Sequence, residues 1–194
     1  MTEMPRCRSC DTELTISLVD LGATPLANSY VDPAEASRPD PAYPLHVRVC
    51  PNCFLAQVED AVPPDAIFSD YAYFSSYSSS WVAHAKAYCD VATKRFGLSG
   101  DSFVVEVASN DGYLLQHFVA AGVPVLGVEP AANVAAVARE AGVATEVAFF
   151  GKATAEKLVA AHGKADLTAA NNVLAHVPVI NDFVAGFAAI LKPK

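Results

Sequence analysis

Beyond residue 100, short apolar runs alternate with stretches in which apolar residues recur every three or four positions. That alternation predicts the larger part of the fold. Strands are expected at 103–108, 125–128, 144–147 and 167–171, and helices at 113–121, 131–141, 152–162 and 180–191. Strands alternating with helices make βαβ units, hence an open, doubly wound parallel sheet of the α/β class. A further helix is expected over 81–96, where Trp81, Val82, Ala85, Tyr88, Cys89 and Ala92 share one face and Gly97 supplies the stop. Ahead of it the pattern changes. Short extended pieces at 16–19 and 45–49 sit among Asp32-Pro33 and Arg38-Pro39-Asp40-Pro41, which predicts hairpins and loops. Pro63-Pro64 and the aromatic, serine-rich passage from Phe68 to Trp81 mark a boundary, giving one domain over 1–65 and a second over 66–194. The last helix runs directly into Lys194, where a further strand of such a sheet is expected. The chain is therefore expected to be a fragment of a longer protein, or to have its sheet completed by something else, with self-association through the exposed edge as one outcome.

The loop-rich segment carries two pairs, Cys7-Arg8-Ser9-Cys10 and Cys50-Pro51-Asn52-Cys53. Two-residue gaps let both sulfurs of a pair reach one tetrahedral ion at about 2.3 Å, so Cys7, Cys10, Cys50 and Cys53 are expected to form a closed structural zinc site. Two disulfides are the alternative. They need an oxidising compartment, and residues 1–30 show no secretory apolar region. A redox pair would sit beside a βαβ pattern, which neither pair does. Cys89 stands apart and reads as a small buried residue.

A hydrophobic fraction of 53% over 194 residues can bury a real core. A net charge of −8 argues against the ordinary zinc-ribbon partner, because binding nucleic-acid phosphates needs a basic face and the 13 Lys and Arg are scattered. No apolar run reaches the roughly 18 residues of a membrane span. Reduced cysteines point to the cytoplasm.

The chemistry is expected at the carboxyl ends of the strands, where ligands bind in doubly wound sheets. The first strand leads into Ala108-Ser109-Asn110-Asp111-Gly112, without the Gly-x-Gly-x-x-Gly turn that cradles a pyrophosphate. The second ends in Gly127-Val128-Glu129-Pro130, and an acid at that point can accept both hydrogen bonds of a ribose diol. With Glu106 and Asp111 facing a cationic amino-acid end, the site suits S-adenosylmethionine, which has a ribose, an ammonium and a sulfonium but no phosphate. Glu129 as a solvated strand-end acid, NAD, or no cofactor are the other readings.

Several stretches then resemble one family over nearly the whole chain. Besides the Cys pairs these are Tyr71-Ala72-Tyr73-Phe74-Ser75-Ser76-Tyr77-Ser78, the run Val105 to Leu115, Gly127 to Ala135, Phe149-Phe150, and Asn171-Asn172-Val173-Leu174-Ala175-His176-Val177-Pro178. They are similar to the zinc-containing sugar C-methyltransferases, which act on nucleotide-linked deoxysugars in antibiotic and cell-surface sugar pathways. The resemblance implies a small zinc-binding β domain followed by a class I (Rossmann-like) methyltransferase domain, truncated at its C-terminus. It implies that Glu106, Ser109, Asn110, Gly112, Glu129, Pro130 and Asn171 line the S-adenosylmethionine site, with Phe149 or Phe150 near the adenine. Tyr71 and His176 look like the family's active-site tyrosine and histidine, although Tyr71, Tyr73 and Tyr77 also read as packing residues and His176 as a loop or capping residue. The implied substrate is a nucleotide-linked 4-keto deoxysugar. A base removes the proton beside the ketone and the enolate attacks the sulfonium methyl.

Full members of that family continue for about as many residues again. They carry a second α/β domain with a Tyr, Glu and His cluster and most of the nucleotide-sugar contacts. Two other readings stand beside the enzyme: a non-catalytic remnant or interaction module that keeps zinc and the cofactor, and a nucleic-acid binder, which the acidity disfavours.

Overall fold

The paired prolines fall where the chain divides. In the computed structural model, which describes residues 4–27, 29–59, 62–68 and 71–193, one compact unit ends at Pro63 and another begins at Pro64. Ser69 and Asp70, within the expected boundary stretch, lie outside the described residues.

The first unit is built on an antiparallel sheet of β1 (Ile16–Thr24), β2 (Tyr43–Val49) and β3 (Ala56–Val58), in that spatial order. The extended pieces expected at 16–19 and 45–49 lie inside these longer strands. β3 escaped the sequence pattern because three residues are too few for alternation to show. Register between β1 and β2 shifts twice, between Ser17 and Val19 and between Asp20 and Ala23, as bulged strands do when they bend. Apolar burial is slight: Cys7, Leu14 and Cys50 are buried with Cys10 and Leu55 against them, while Ile16, Leu18 and Leu21 are exposed. So small a core does not stabilise a domain without a further staple.

The second unit contains a parallel sheet of β4 (Val104–Val107), β5 (Val125–Val128), β6 (Thr145–Glu146) and β7 (Leu167–Ala169), in the order β6-β5-β4-β7. The helices are α1 (Pro64–Phe68), α2 (Ser79–Phe96), α3 (Leu115–Ala120), α4 (Ala132–Glu140), α5 (Lys152–His162) and α6 (Ile180–Ile190). Every β4 residue is buried, as a central strand covered on both faces must be. Val104 belongs to a core formed with Ala85, Cys89 and Ala92 of α2 and Leu115 and Phe118 of α3. Its neighbour Val105 belongs to a core formed with Ala155 and Leu158 of α5 and Ile190 of α6. Alternate side chains of one strand thus fix two helical layers, which makes the sheet doubly wound.

Helix ends follow local chemistry. The Ser78 hydroxyl accepts the Trp81 N–H at 3.3 Å to cap α2, and Gly97 at φ 63° ends it in a left-handed turn. Cys89 is buried, as expected, whereas Trp81 and Tyr88, placed by spacing on the buried face, are 39% and 40% exposed. After α6 the backbone at Leu191 pairs in parallel with Ala165, with the Lys192 N–H on the Ala165 carbonyl at 2.9 Å. The chain therefore starts along the open side of β7. Among the described residues, no helix is long and apolar enough to cross a membrane.

Phe118 is fully buried at the centre of the first core. Replacing it with alanine is expected to cost about 3–5 kcal/mol, read as an earlier midpoint in denaturant-induced unfolding.

Candidate functional site

The two cysteine pairs adopt the same backbone. Cys7 N–H donates to the Thr12 carbonyl and Asp11 N–H to the Cys7 carbonyl. Cys50 N–H and Phe54 N–H repeat this with Leu55 and Cys50, all four bonds at 2.8–3.1 Å. Asp11 and Phe54, at φ 61° and 62°, take the left-handed conformation that closes each turn. The four sulfurs lie within 4.8 Å of one another, with Cys7 to Cys53 at 3.6 Å and Cys10 to Cys50 at 3.5 Å. Thiolates about 2.3 Å from one tetrahedral zinc stand about 3.8 Å apart, whereas a disulfide requires about 2.0 Å. Gln57 Nε2 donates to Cys7 Sγ at 3.2 Å, and the Asn52 and Cys53 N–H groups to Cys50 Sγ at 3.4 Å. Donors aimed at sulfur stabilise thiolate. The donor set fits zinc, and the metal supplies the staple that the small apolar cluster does not.

In the second unit the turn after β4 is held in unusual backbone. Ala108 and Asn110 have φ 55° and 50°, and Gly112 has φ 80°. For the two residues with side chains this conformation costs free energy and needs support from the surroundings. Glu129 supplies it. Its Oε2 accepts the Asn110 N–H at 2.9 Å, and its Oε1 the Ala131 N–H at 3.0 Å, just ahead of α4. Each oxygen keeps a further lone pair able to accept a hydrogen bond. Gly127 permits the close approach behind it, since a Cβ there would collide with Ser109 Oγ and crowd Thr145.

A segment after α1 lies across these turns, fastened by side chains. Asn110 accepts the Ser75 N–H at 2.8 Å and donates to the Tyr73 carbonyl at 3.0 Å. Asp111 Oδ2 accepts the Ser76 N–H at 3.0 Å and its hydroxyl at 2.5 Å. Asn133 accepts the Tyr71 N–H at 3.2 Å and donates to its carbonyl at 2.9 Å. The Phe68 ring meets Tyr71 edge-on at 5.6 Å and His176 at 5.7 Å. His176 closes a 3₁₀ turn, Leu174–His176, beyond β7.

These elements enclose a cavity of about 640 Å³, within the usual range for small-molecule sites. Of the residues singled out from the sequence, Tyr71, Asn110, Glu129, Pro130, Phe149, Phe150, Asn171 and His176 line it. Glu106, Ser109 and Gly112 do not, and instead form the layer behind. Phe68, Trp81, Tyr113 and Asp182 also line it and were missed. Trp81 and Tyr113 both read as helix residues, and only their stacking at 6.0 Å reveals a wall. His84 stacks on Trp81 at 5.4 Å on the exposed side of α2 and does not line the cavity.

The electrostatics are one-signed. The lining includes the carboxylates of Asp65, Glu129 and Asp182 and no lysine or arginine among the described residues. Behind it Glu106 is fully buried; its Oε1 accepts from Asn171 Nδ2 at 3.3 Å, while Oε2 has no partner, and neither has Asp111 Oδ1. Burial, and secondarily the charges of Glu129 and Asp111, push the Glu106 carboxyl well above the usual range against the opposing Asn171 hydrogen bond. Burial also raises Glu129, against the two N–H groups it binds. Buried carboxylates without a protein cation call for a cationic ligand. S-adenosylmethionine fits that demand, and a diphosphate does not.

Residues 105–194 match the family described as "Methyltransferase domain", and residues 7–68 the family described as "Putative zinc binding domain". The chain thus joins a region similar to zinc-binding domains to a region similar to methyltransferase domains. Over 187 residues it is 35% identical to the C-methyltransferase NovU of Streptomyces niveus, which covers 96% of this chain and 44% of that protein. The chain thus spans under half the length of this curated relative. Among solved structures, DesVI of Streptomyces venezuelae is 18% identical, covering 61% of this chain and 49% of its own, with a TM-score of 0.44. Magnesium protoporphyrin IX methyltransferase (ChlM) of Synechocystis PCC 6803, with bound SAH, is 16% identical, covering 58% and 51%, with a TM-score of 0.45.

Elemental analysis is expected to find one zinc per chain. A strong chelator is expected to release it with loss of amide protection across β1 to β3, measured by hydrogen exchange. Glu106 has a separate signature. Its folded pKa lies above the unfolded value, so its contribution to stability is full below the unfolded carboxylate pKa and is lost as pH rises towards the folded one. Without ligand, Glu106→Gln is expected to stabilise the protein at pH 8 by about 1 kcal/mol, with little effect near pH 4, measured by thermal unfolding across pH.

Proposed function

We propose that the protein containing this chain methylates a carbon of a nucleotide-linked 4-keto deoxysugar, with S-adenosylmethionine as donor. The observation that carries this reading is one cavity with the ribose-type acid Glu129 on one wall and the Tyr71, Phe68 and His176 rings on another. Similarity to a protein named a C-methyltransferase supports carbon as the acceptor. A sugar carbon becomes nucleophilic beside a carbonyl, which is why the acceptor carries a ketone.

When bound, S-adenosylmethionine supplies an electrophilic methyl on a positively charged sulfur. The Glu129 oxygens would hold the ribose diol and Phe149 or Phe150 would border the adenine, while Glu106 and Asp111, set behind the lining, would act on the cationic end through their charge. A base takes the proton from the carbon beside the ketone. That carbon forms a bond to the methyl as the C–S bond breaks, its electron pair goes to sulfur, and S-adenosylhomocysteine leaves. Burial, then the neighbouring Tyr73 and Glu129, raise the Tyr71 phenol, so it stays protonated at neutral pH. Tyr71 therefore suits donation of a hydrogen bond to the developing enolate oxygen, not proton removal. His176 borders the acceptor on the same wall. Because the lining holds no lysine or arginine among the described residues, this reading puts the acceptor's diphosphate on groups outside the cavity, in keeping with the second α/β domain that the family resemblance implies. The free thiols fit a cytoplasmic setting.

Trp81, the single tryptophan of the chain, lines the cavity, so its fluorescence reports occupancy. Titration with S-adenosylmethionine is expected to give saturable one-to-one binding that Glu129→Ala weakens by at least about tenfold, the loss of two charge-assisted hydrogen bonds. Absence of binding by folded, zinc-loaded protein overturns the reading.

A further inference from the structure

The hydrogen bonds around Glu129 reach further than the cofactor seat. Its carboxylate binds the N–H groups of Asn110 and Ala131. Asn110 then uses its own side chain on Tyr73 and Ser75. Two residues past Ala131, in the first turn of α4, Asn133 makes both backbone bonds of Tyr71. Each asparagine amide presents one acceptor and one donor to a neighbouring peptide, the arrangement by which a β-strand partner would hold it. Among the described residues, the stretch from Tyr71 to Ser76 pairs with no strand and belongs to no helix apart from a 3₁₀ turn, Ser75–Tyr77. Its placement over the cavity rests on these side chains and, at its far end, on Asp111, which accepts the Ser76 N–H and hydroxyl.

We propose that Asn133 is a positioning residue for Tyr71, and that Asn133 and Asn110 fasten the 71–76 strap to the ribose-binding turns so that cofactor occupancy and tyrosine placement are coupled. The proposal rests on the function proposed above for the cavity. Asn133 is exposed and is not among the residues lining the cavity, so its effect passes through Tyr71. With ribose on Glu129, the turns at 110 and 131 are held from both sides and the strap they carry opens less often. Tyr71 is then ordered when the methyl donor is in place, before the acceptor is engaged.

The test is peptide-level hydrogen exchange on the full 194-residue chain, with and without S-adenosylmethionine, alongside the Trp81 titration. Without ligand, Asn133→Ala is expected to speed exchange at the Tyr71 end of the strap about tenfold, as expected for losing two hydrogen bonds, while α4 stays protected. Asn133→Asp keeps the acceptor for the Tyr71 N–H and loses the donor to its carbonyl, so it is expected to restore part of the protection. S-adenosylmethionine is expected to slow strap exchange in the parent chain but not at Tyr71 in Asn133→Ala, with affinities within about threefold, since the ribose seat is untouched. Parent-like exchange at Tyr71 in Asn133→Ala without ligand overturns the clamp. An equal ligand effect in both proteins overturns the coupling. If S-adenosylmethionine does not bind the parent chain, the cofactor reading and the coupling fall together, while the ligand-free comparison still decides the clamp.

Discussion

The carboxylate of Glu129 joins the parts of the site that the sheet alone leaves separate. β4 and β5 end side by side because their backbones pair from Val104 with Val125 to Val107 with Val128, and backbone bonds reach only to Ala108, Ser109 and Glu129 beyond those ends. A buried acid that accepts one N–H from each emerging turn fixes both at once. It also stabilises Asn110 in a left-handed conformation that residues with side chains seldom adopt. Burial makes such bonds strong, since the alternative is an unsolvated charge.

Carboxylates crowd the same region, with Glu106, Asp111 and Glu129 all buried. A sequence chosen for stability alone would not place three acids at one sheet edge without a lysine or arginine among them. The arrangement makes sense if the missing positive charge arrives with a ligand. Local instability and ligand preference are then two aspects of one charge distribution, in line with the common tension between stability and function.

Much of the second unit was legible because its strands and helices follow the two periods that burial imposes. Residues 125–128 and 152–162 lie where the apolar pattern puts them. The other elements differ mainly at their ends, as with 103–108, which narrows to Val104–Val107, because capping and turn geometry carry little periodic signal. The short α1 and β3 were silent for the same reason. Within the site, the acids at strand ends and the Asn-Asp-Gly turn were readable, since topology puts ligands there. Phe68, Trp81 and Tyr113 were not, because a cavity wall assembled from three elements has no signature in any one of them. Asn133 lies in the helix expected over 131–141, where periodicity does not mark which polar residue holds a neighbouring segment. Glu106 illustrates the reverse: its position was clear, yet its depth behind the lining follows from how β4 is covered on both faces.

The apolar cluster around Leu14 has one further implication. Three buried residues, two of them cysteines, leave almost nothing to keep the first unit together when its sulfurs carry protons instead of a metal. Folding of this unit is then a mass-action equilibrium with free zinc and with acidity. In a zinc-poor cell the shortage would be felt first as a falling concentration of intact protein, before any chemistry in the cavity of the second unit changed.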